Sequence, residues 1–250
     1  KAEKLASIYS PAYWDLKKEK TKSQFDLFKK YDKFGLNNFK KLKFYCKQKK
    51  IDFLCTPFDY TSAKELNSLV DAFKISSSDI TNKPLIEYIS KFNKPIILST
   101  GASSIKEIKR AVSWIDLPQT KIMLLHCILS YPTKKEDANL GMINDLKFNF
   151  PKIKIGYSDH TEPGNMLITN LAFNLGCLLV EKHFTFNKKL KGNDHYHSAD
   201  LKDLKKLNRM LDETKLIIGI NKKKVIDSEK KSRIFARRSI VANNFIKKNK

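Results

Sequence analysis

Six short apolar segments recur along the chain, each running into polar residues: 51–58 (IDFLCTPF), 72–79 (AFKISSSD), 94–101 (KPIILSTG), 121–127 (KIMLLHC), 152–160 (KIKIGYSDH) and 177–184 (CLLVEKHF). Several are nearly continuous apolar runs rather than alternating ones, the pattern of strands covered on both faces of a parallel sheet. Helical patterns lie between them. Residues 61–73 open with Thr and Ser followed by an acid, a capping signal. Residues 103–115 place Ile105, Ile108, Val112 and Ile115 on one stripe, 162–176 end in Gly176, and 201–220 repeat Leu at helical spacing. Residues 12–49 hold two more helical patterns and no strand, while IFARRSIVA near the far end is strand-like without a following partner.

The polar residues at the segment ends, Thr56, Ser77, Thr100, His126, His160 and His183, follow one another at intervals of 21 to 34 positions. A strand–helix–strand unit takes ~30 residues. Strict alternation with a polar tip after every strand predicts an α/β fold of the (β/α)8 TIM-barrel type, with its active site at the C-terminal strand ends. Neither a G-x-G-x-x-G nor a P-loop supports a nucleotide-binding sheet. Six β/α units are visible, so the first two strands of an eightfold barrel are expected to be missing. Segments 51–58 and 177–184 are expected as sheet edges, or paired with each other.

Composition changes the picture in one respect. The 250 residues include 49 Lys+Arg against 26 Asp+Glu, a formal charge of +23. That balance raises the possibility of a basic RNA-binding module. However, only five of the basic residues are Arg (Arg110, Arg209, Arg233, Arg237 and Arg238), and the lysines are spread along the whole chain. Nucleic-acid readers favour clustered Arg and stacking aromatics, so no nucleic-acid partner is expected. A positive field does steer anionic substrates. Cys46, Cys55, Cys127 and Cys177 have no metal-ligand spacing and read as reduced thiols. No apolar run reaches the ~18 residues of a membrane span. The first twenty residues are polar, without the apolar region of a signal peptide. A cytoplasmic protein away from membranes is expected.

The candidate chemistry sits at the tips. Lys74 with Ser76, Ser77 and Ser78 offers one charge and three hydroxyls; Ser99-Thr100-Gly101 and Ser158-Asp159-His160-Thr161 follow later strands. A single such Ser or Thr usually caps the next helix. Three sets on three tips point instead to an anion site. His160 and His183 end successive strands, and neighbouring strands lie ~5 Å apart, so two imidazoles can share one cation. Histidines alone more often serve as hydrogen-bonding residues. His195 and His197, in the Gly/Asn-rich loop KGNDHYHS, are a weaker metal signal, and His126 reads as a packing residue. The alternative enzyme on this scaffold is a phosphate-sugar aldolase or isomerase. Its Schiff-base lysine would have to be Lys74 or Lys182.

FKISSSDITNKPLIEYISKFNKPIILSTG, LLHC-x3-YPT, IGYSDHT, VEKHFT, GNDH and FARRSIVA, in this order, resemble the sialic acid synthases. These are the phosphoenolpyruvate-condensing N-acetylneuraminate, legionaminate and pseudaminate synthases. The resemblance implies a barrel over 1–238 and, over 239–250, a linker or the start of a truncated antifreeze-like domain. It also implies that the chain is an internal piece of a homodimeric synthase, inactive by itself. The cofactor implied is Mn2+ or Mg2+, held by His160 and His183. The partners implied are phosphoenolpyruvate and an N-acylated hexosamine such as N-acetylmannosamine. Carried over residue by residue, Lys74, Ser77, Ser99 and Ser158, with Thr56 nearby, hold phosphoenolpyruvate. Asp79 acts near the reacting carbons, and Tyr131 and Asp194 contact the sugar. Leu129 departs from the pattern, standing where the family has a small polar residue facing phosphoenolpyruvate.

Overall fold

A computed structural model of the protein describes residues 2–248. Its described residues divide into two compact units, one up to Met210 and one from Leu211. The first opens with helices α1 (Gln24–Tyr31), α2 (Leu36–Gln48) and α3 (Tyr60–Leu66) and then alternates strictly: β1 (Phe73–Ile75), α4 (Lys83–Ser90), β2 (Ile96–Ser99), α5 (Ile105–Ser113), β3 (Ile122–Cys127), α6 (Met142–Asn149), β4 (Lys154–Asp159), α7 (Leu167–Asn174) and β5 (Val180–Lys182). Helix α8 (Leu201–Ile218) follows, and the second unit contains α9 (Lys230–Phe235). All strand pairs are parallel and the order is sequential, β1-β2-β3-β4-β5. This is a parallel α/β half-barrel, as the alternation predicts.

Register decides what each face carries. Phe73, Ile75, Ile96, Leu98, Ile122, Leu124, Ile155 and Tyr157 face one way, into one apolar core with the helices. The residues between them turn to the other face, because successive side chains of a strand alternate. That inner face brings Lys74, Ser99, Cys127, Ser158 and Glu181 to neighbouring positions. The apolar runs hide a division of labour: one face is greasy throughout, the other turns polar toward the strand ends.

Local signals hold in part. Ser104 and Glu107 form a reciprocal capping box at α5. Gly176 follows α7 at φ +81°, the left-handed conformation that ends helices and that only glycine adopts without strain. Helix α3 is instead capped by Asp59, whose carboxylate accepts the Ser62 N–H at 3.0 Å, and it stops at Leu66, well short of residue 73.

Two expected strands do not form. Segment 51–58 makes no ladder with β1 among the described residues, so five strands stand where six were expected, and β1 rather than 51–58 is the first edge. Its apolar pattern is real, since Phe53 and Cys55 pack against the core. Burial, not backbone pairing, is what such a pattern reports. Segment 177–184 forms an edge strand, β5, as one of the two expected arrangements has it; the other, pairing of 51–58 with 177–184, is absent among the described residues. IFARRSIVA begins inside α9 and continues without a strand, its Ile240 and Val241 exposed. Residues 249–250 of the segment expected to open a second domain lie outside the described residues. No helix among the described residues is long and apolar enough to cross a membrane.

Candidate functional site

The inner face of the half-barrel gathers the anion-site candidates. Lys74 is buried on β1; its ammonium donates to the Ile75 carbonyl at 3.3 Å and lies 3.5 Å from the Glu181 carboxylate. Ser158, from β4, donates to the same carboxylate at 2.7 Å. The Ser77 hydroxyl accepts the Gly101 N–H at 2.9 Å. The Cys127 thiol sits among Ser77, Ser158, Lys74 and Glu181, and burial pushes its pKa up, which keeps it protonated and unreactive. Ser99, at the end of β2, is buried with a hydroxyl that has no hydrogen-bond partner. A buried hydroxyl left unpaired costs about 1–3 kcal/mol, so Ser99 offers a donor to a ligand at that spot. Thr56 lines a cavity of about 330 Å3 together with Lys74, Val180 and Glu181.

Gly101 is required here by proximity. A Cβ at this position would stand 2.8 Å from the Ser77 hydroxyl and 3.1 Å from the Cys127 sulfur. Gly101→Ala is therefore expected to displace Ser77 and to lower stability by roughly 1–3 kcal/mol, the usual cost of overpacking. Urea unfolding of the variant checks it.

A second cluster lies at the ends of β4 and β5. His160 is buried, and its Nδ1 lies 2.8 Å from the Ile128 carbonyl. A carbonyl only accepts, so Nδ1 carries the proton and Nε2 presents a lone pair. Burial lowers the pKa of His160 to about 4, keeping the ring neutral as a metal ligand must be. His183 is shifted in the same direction, again chiefly by burial. The two rings are perpendicular, with centroids 5.5 Å apart, and Tyr131 packs against both at 4.2 and 5.9 Å. Burial raises the Tyr131 phenol pKa, so it stays a hydrogen-bond donor.

His183, Asp194 and His197 place one ligating atom each within 4.8 Å of one another. Asp194 is held below the usual carboxylate range by His197, against burial, with His183 adding to the effect. His160 is outside this triad. The imidazoles of His160, His183 and His197 with the Asp194 carboxylate make a donor set that fits a first-row divalent cation.

Asp79 accepts hydrogen bonds from Ser76 and Asn82, each at 3.1 Å. It lines a cavity of about 660 Å3 with Ser77, Leu129 and Tyr131. Asp194 and His183 line another, of about 510 Å3, walled by Tyr13, Trp14 and Tyr31. The candidates thus fall into an inner-face group around Cys127, a histidine cluster, and residues that line separate cavities. His126 is a packing residue, 2.9 Å from the Ala138 carbonyl and stacked on Tyr157.

Glu181 is the residue that sequence reasoning passes over, and His197 is one that it ranks only as a weak metal signal. Glu181 was legible from β5, as the strand residue between Val180 and Lys182 and paired with Ser158 on the inner face. Lys182 alternates away: it forms a buried ion pair with Asp159 at 2.8 Å and donates to the Thr161 carbonyl. Neither it nor the paired Lys74 is the free amine that a Schiff-base aldolase needs.

The sequence profile of the NeuB family matches residues 1–223. An uncharacterised protein of Methanocaldococcus jannaschii is 41% identical over 233 residues, covering 92% of this chain and 67% of that protein. The N,N'-diacetyllegionaminic acid synthase of Campylobacter jejuni is 38% identical over 230 residues, covering 90% of this chain and 68% of the synthase. The crystal structure of the N-acetylneuraminic acid synthetase of Leptospira borgpetersenii, in complex with citrate, superposes with a TM-score of 0.73 at 36% identity, covering 82% of this chain and 73% of that one.

Proposed function

The chain belongs to the NeuB family, and because two of the relatives above are named as synthases of legionaminic and N-acetylneuraminic acid, we propose that its site condenses phosphoenolpyruvate with an open-chain N-acylated hexosamine. The observation that carries this reading is the convergence of Lys74, Ser77 and Ser158 around the buried Cys127 thiol on the inner face, with a buried, unpaired Ser99 hydroxyl on the same face.

In this reading Lys74 faces the phosphate as a point charge, and the hydroxyls of Ser77, Ser99 and Ser158, with Thr56, hold the remaining phosphate and carboxylate oxygens. Tyr131 and Asp194 orient the sugar. The C2=C3 π pair of phosphoenolpyruvate forms the bond from C3 to the aldehyde carbon as the aldehyde C=O π bond breaks toward its oxygen; water then adds to the cationic C2, and C2 regains a carbonyl as its C–O bond to phosphate breaks. Asp79, fixed by Ser76 and Asn82, takes the proton of that water. Lys74 stabilises charge growing on the departing phosphate. His160 and His183 hold a divalent cation such as Mn2+ or Mg2+, which when bound polarises the aldehyde oxygen.

The test is calorimetric titration of phosphoenolpyruvate into the protein with Mn2+ present, followed by N-acetylmannosamine. Saturable binding of the first, tightened or left unchanged by the second, supports the reading. No binding of phosphoenolpyruvate at millimolar concentration contradicts it. Leu129, 41% exposed on the wall beside Asp79 and Tyr131, offers no hydrogen bond to an anion. Leu129→Ser is expected to raise phosphoenolpyruvate affinity by about 1 kcal/mol, or roughly fivefold. The same titration checks it.

A further inference from the structure

His197 is buried at 1% exposure, yet neither of its ring nitrogens has a hydrogen-bond partner. Buried polar atoms without partners are rare and costly, and an imidazole lone pair facing acidic and imidazole neighbours suits a cation. Its Nε2 lies 3.7 Å from one oxygen of Asp194, and the other oxygen lies 3.8 Å from His183 Nδ1. Both separations exceed hydrogen-bond reach, so the carboxylate stands between two imidazoles and bonds to neither. We infer that His183, Asp194 and His197 together ligate a divalent first-row cation, so that the loop after β5 supplies two of its three protein donors.

This inference rests on the reading that the site takes a divalent cation, and it goes further by naming donors beyond the His160–His183 pair. Donors each ~2.1 Å from one ion lie at most ~4.2 Å apart, so a group spanning 4.8 Å needs to close by about half an ångström. Asp194 has the freedom to do so, because its side chain is 61% exposed. Backbone geometry brings His197 to this place. The Ala199 N–H donates to the His183 carbonyl and the Thr185 N–H to the Ala199 carbonyl, both at 2.8 Å, which ties the end of the loop to the exit of β5. His195, two residues earlier, is already engaged, with Nδ1 2.8 Å from the Thr185 hydroxyl. Of the two loop imidazoles, His197 is the one whose ring nitrogens are both buried and without a partner. Two histidines and one carboxylate leave coordination positions open, as a site that takes a substrate oxygen requires.

The experiment titrates Mn2+ into the full 250-residue chain and follows the free ion by electron paramagnetic resonance, with His197→Ala, Asp194→Asn and His160→Ala beside the wild type. Both His197→Ala and Asp194→Asn should raise the Mn2+ dissociation constant at least tenfold. A change below twofold in either would overturn the inference. His160→Ala separates this from the reading beneath it: if it weakens binding while His197→Ala does not, the His160–His183 pair stands and the triad falls. If His197→Ala weakens binding and His160→Ala does not, the triad stands and the role of His160 falls. No Mn2+ binding by the wild type overturns both. Should His197→Ala fail to fold, hydrogen exchange on the wild type decides: Mn2+ should slow exchange over 192–198 at least fivefold, and unchanged rates overturn the triad.

Discussion

Lys74→Ala is expected to weaken phosphoenolpyruvate binding by about 30-fold or more while leaving N-acetylmannosamine binding within about twofold. The ammonium is buried, and its neighbours are the Ile75 carbonyl at 3.3 Å and the Glu181 carboxylate at 3.5 Å. Both are long contacts, so the charge is incompletely compensated and directed into the pocket. A hydrogen bond to a charged group contributes about 1.5–3 kcal/mol, and each ~1.4 kcal/mol is tenfold in affinity. Truncation leaves Glu181 without its cation, but that side chain is 41% exposed and water can solvate it. Lys74→Met keeps the aliphatic stem and should lose the same affinity, which separates the charge from the packing. Calorimetry on both variants checks the expectation. A dissociation constant within threefold of wild type would remove Lys74 from the anion site.

Asp159→Ala should destabilise the protein by about 3–5 kcal/mol, the usual result of removing one partner of a buried ion pair. The Lys182 and Asp159 side chains are 7% and 0% exposed, 2.8 Å apart. The same carboxylate accepts from the Thr161 N–H at 2.9 Å and from the hydroxyls of Thr161 and Thr169, each at 2.7 Å. Burial alone would raise this carboxyl, but Lys182 and the two threonines outweigh it and hold the pKa below its ordinary value. Without Asp159, Lys182 keeps only the Thr161 carbonyl and becomes an uncompensated charge beneath the histidine cluster. Domains are typically stable by only 5–15 kcal/mol, so the variant should unfold at markedly lower urea. Combining it with Lys182→Met should recover part of the loss, because the orphaned charge is then gone. A single variant within 1 kcal/mol of wild type would contradict this account of the β4–β5 junction.

Much of this architecture is readable in the chain. The runs at 94–101, 121–127 and 152–160 contain β2, β3 and β4, because a parallel strand covered on both faces needs an apolar run and little else. Segment 51–58 has the same look and forms no strand. Phe53 and Cys55 are apolar for packing, and pairing depends on a neighbour that local sequence does not encode. The anion-site residues are legible for a related reason: strand tips and side-chain alternation place Lys74, Ser99 and Ser158 on one face whatever the loops do. His197 is not legible in that way. Its position depends on the hydrogen bonds that join Ala199 to His183 and Thr185, and loop spacing says nothing of them. Glu181 escapes notice because a carboxylate is counterintuitive in a pocket for an anion. It pairs with Lys74 and accepts from Ser158, so under the proposed reading a phosphate would compete with it for both.

The central claim is that phosphoenolpyruvate and the cation occupy one site on the inner face, and 31P relaxation measures this directly. The rate is followed for phosphoenolpyruvate with Mn2+, with and without the protein. The account predicts that the protein enhances the paramagnetic relaxation of the phosphoenolpyruvate phosphorus beyond that of the free Mn2+ complex, that Lys74→Ala abolishes the enhancement, and that His183→Ala does the same. Relaxation rates identical with and without the protein, or an enhancement untouched by both substitutions, would contradict it.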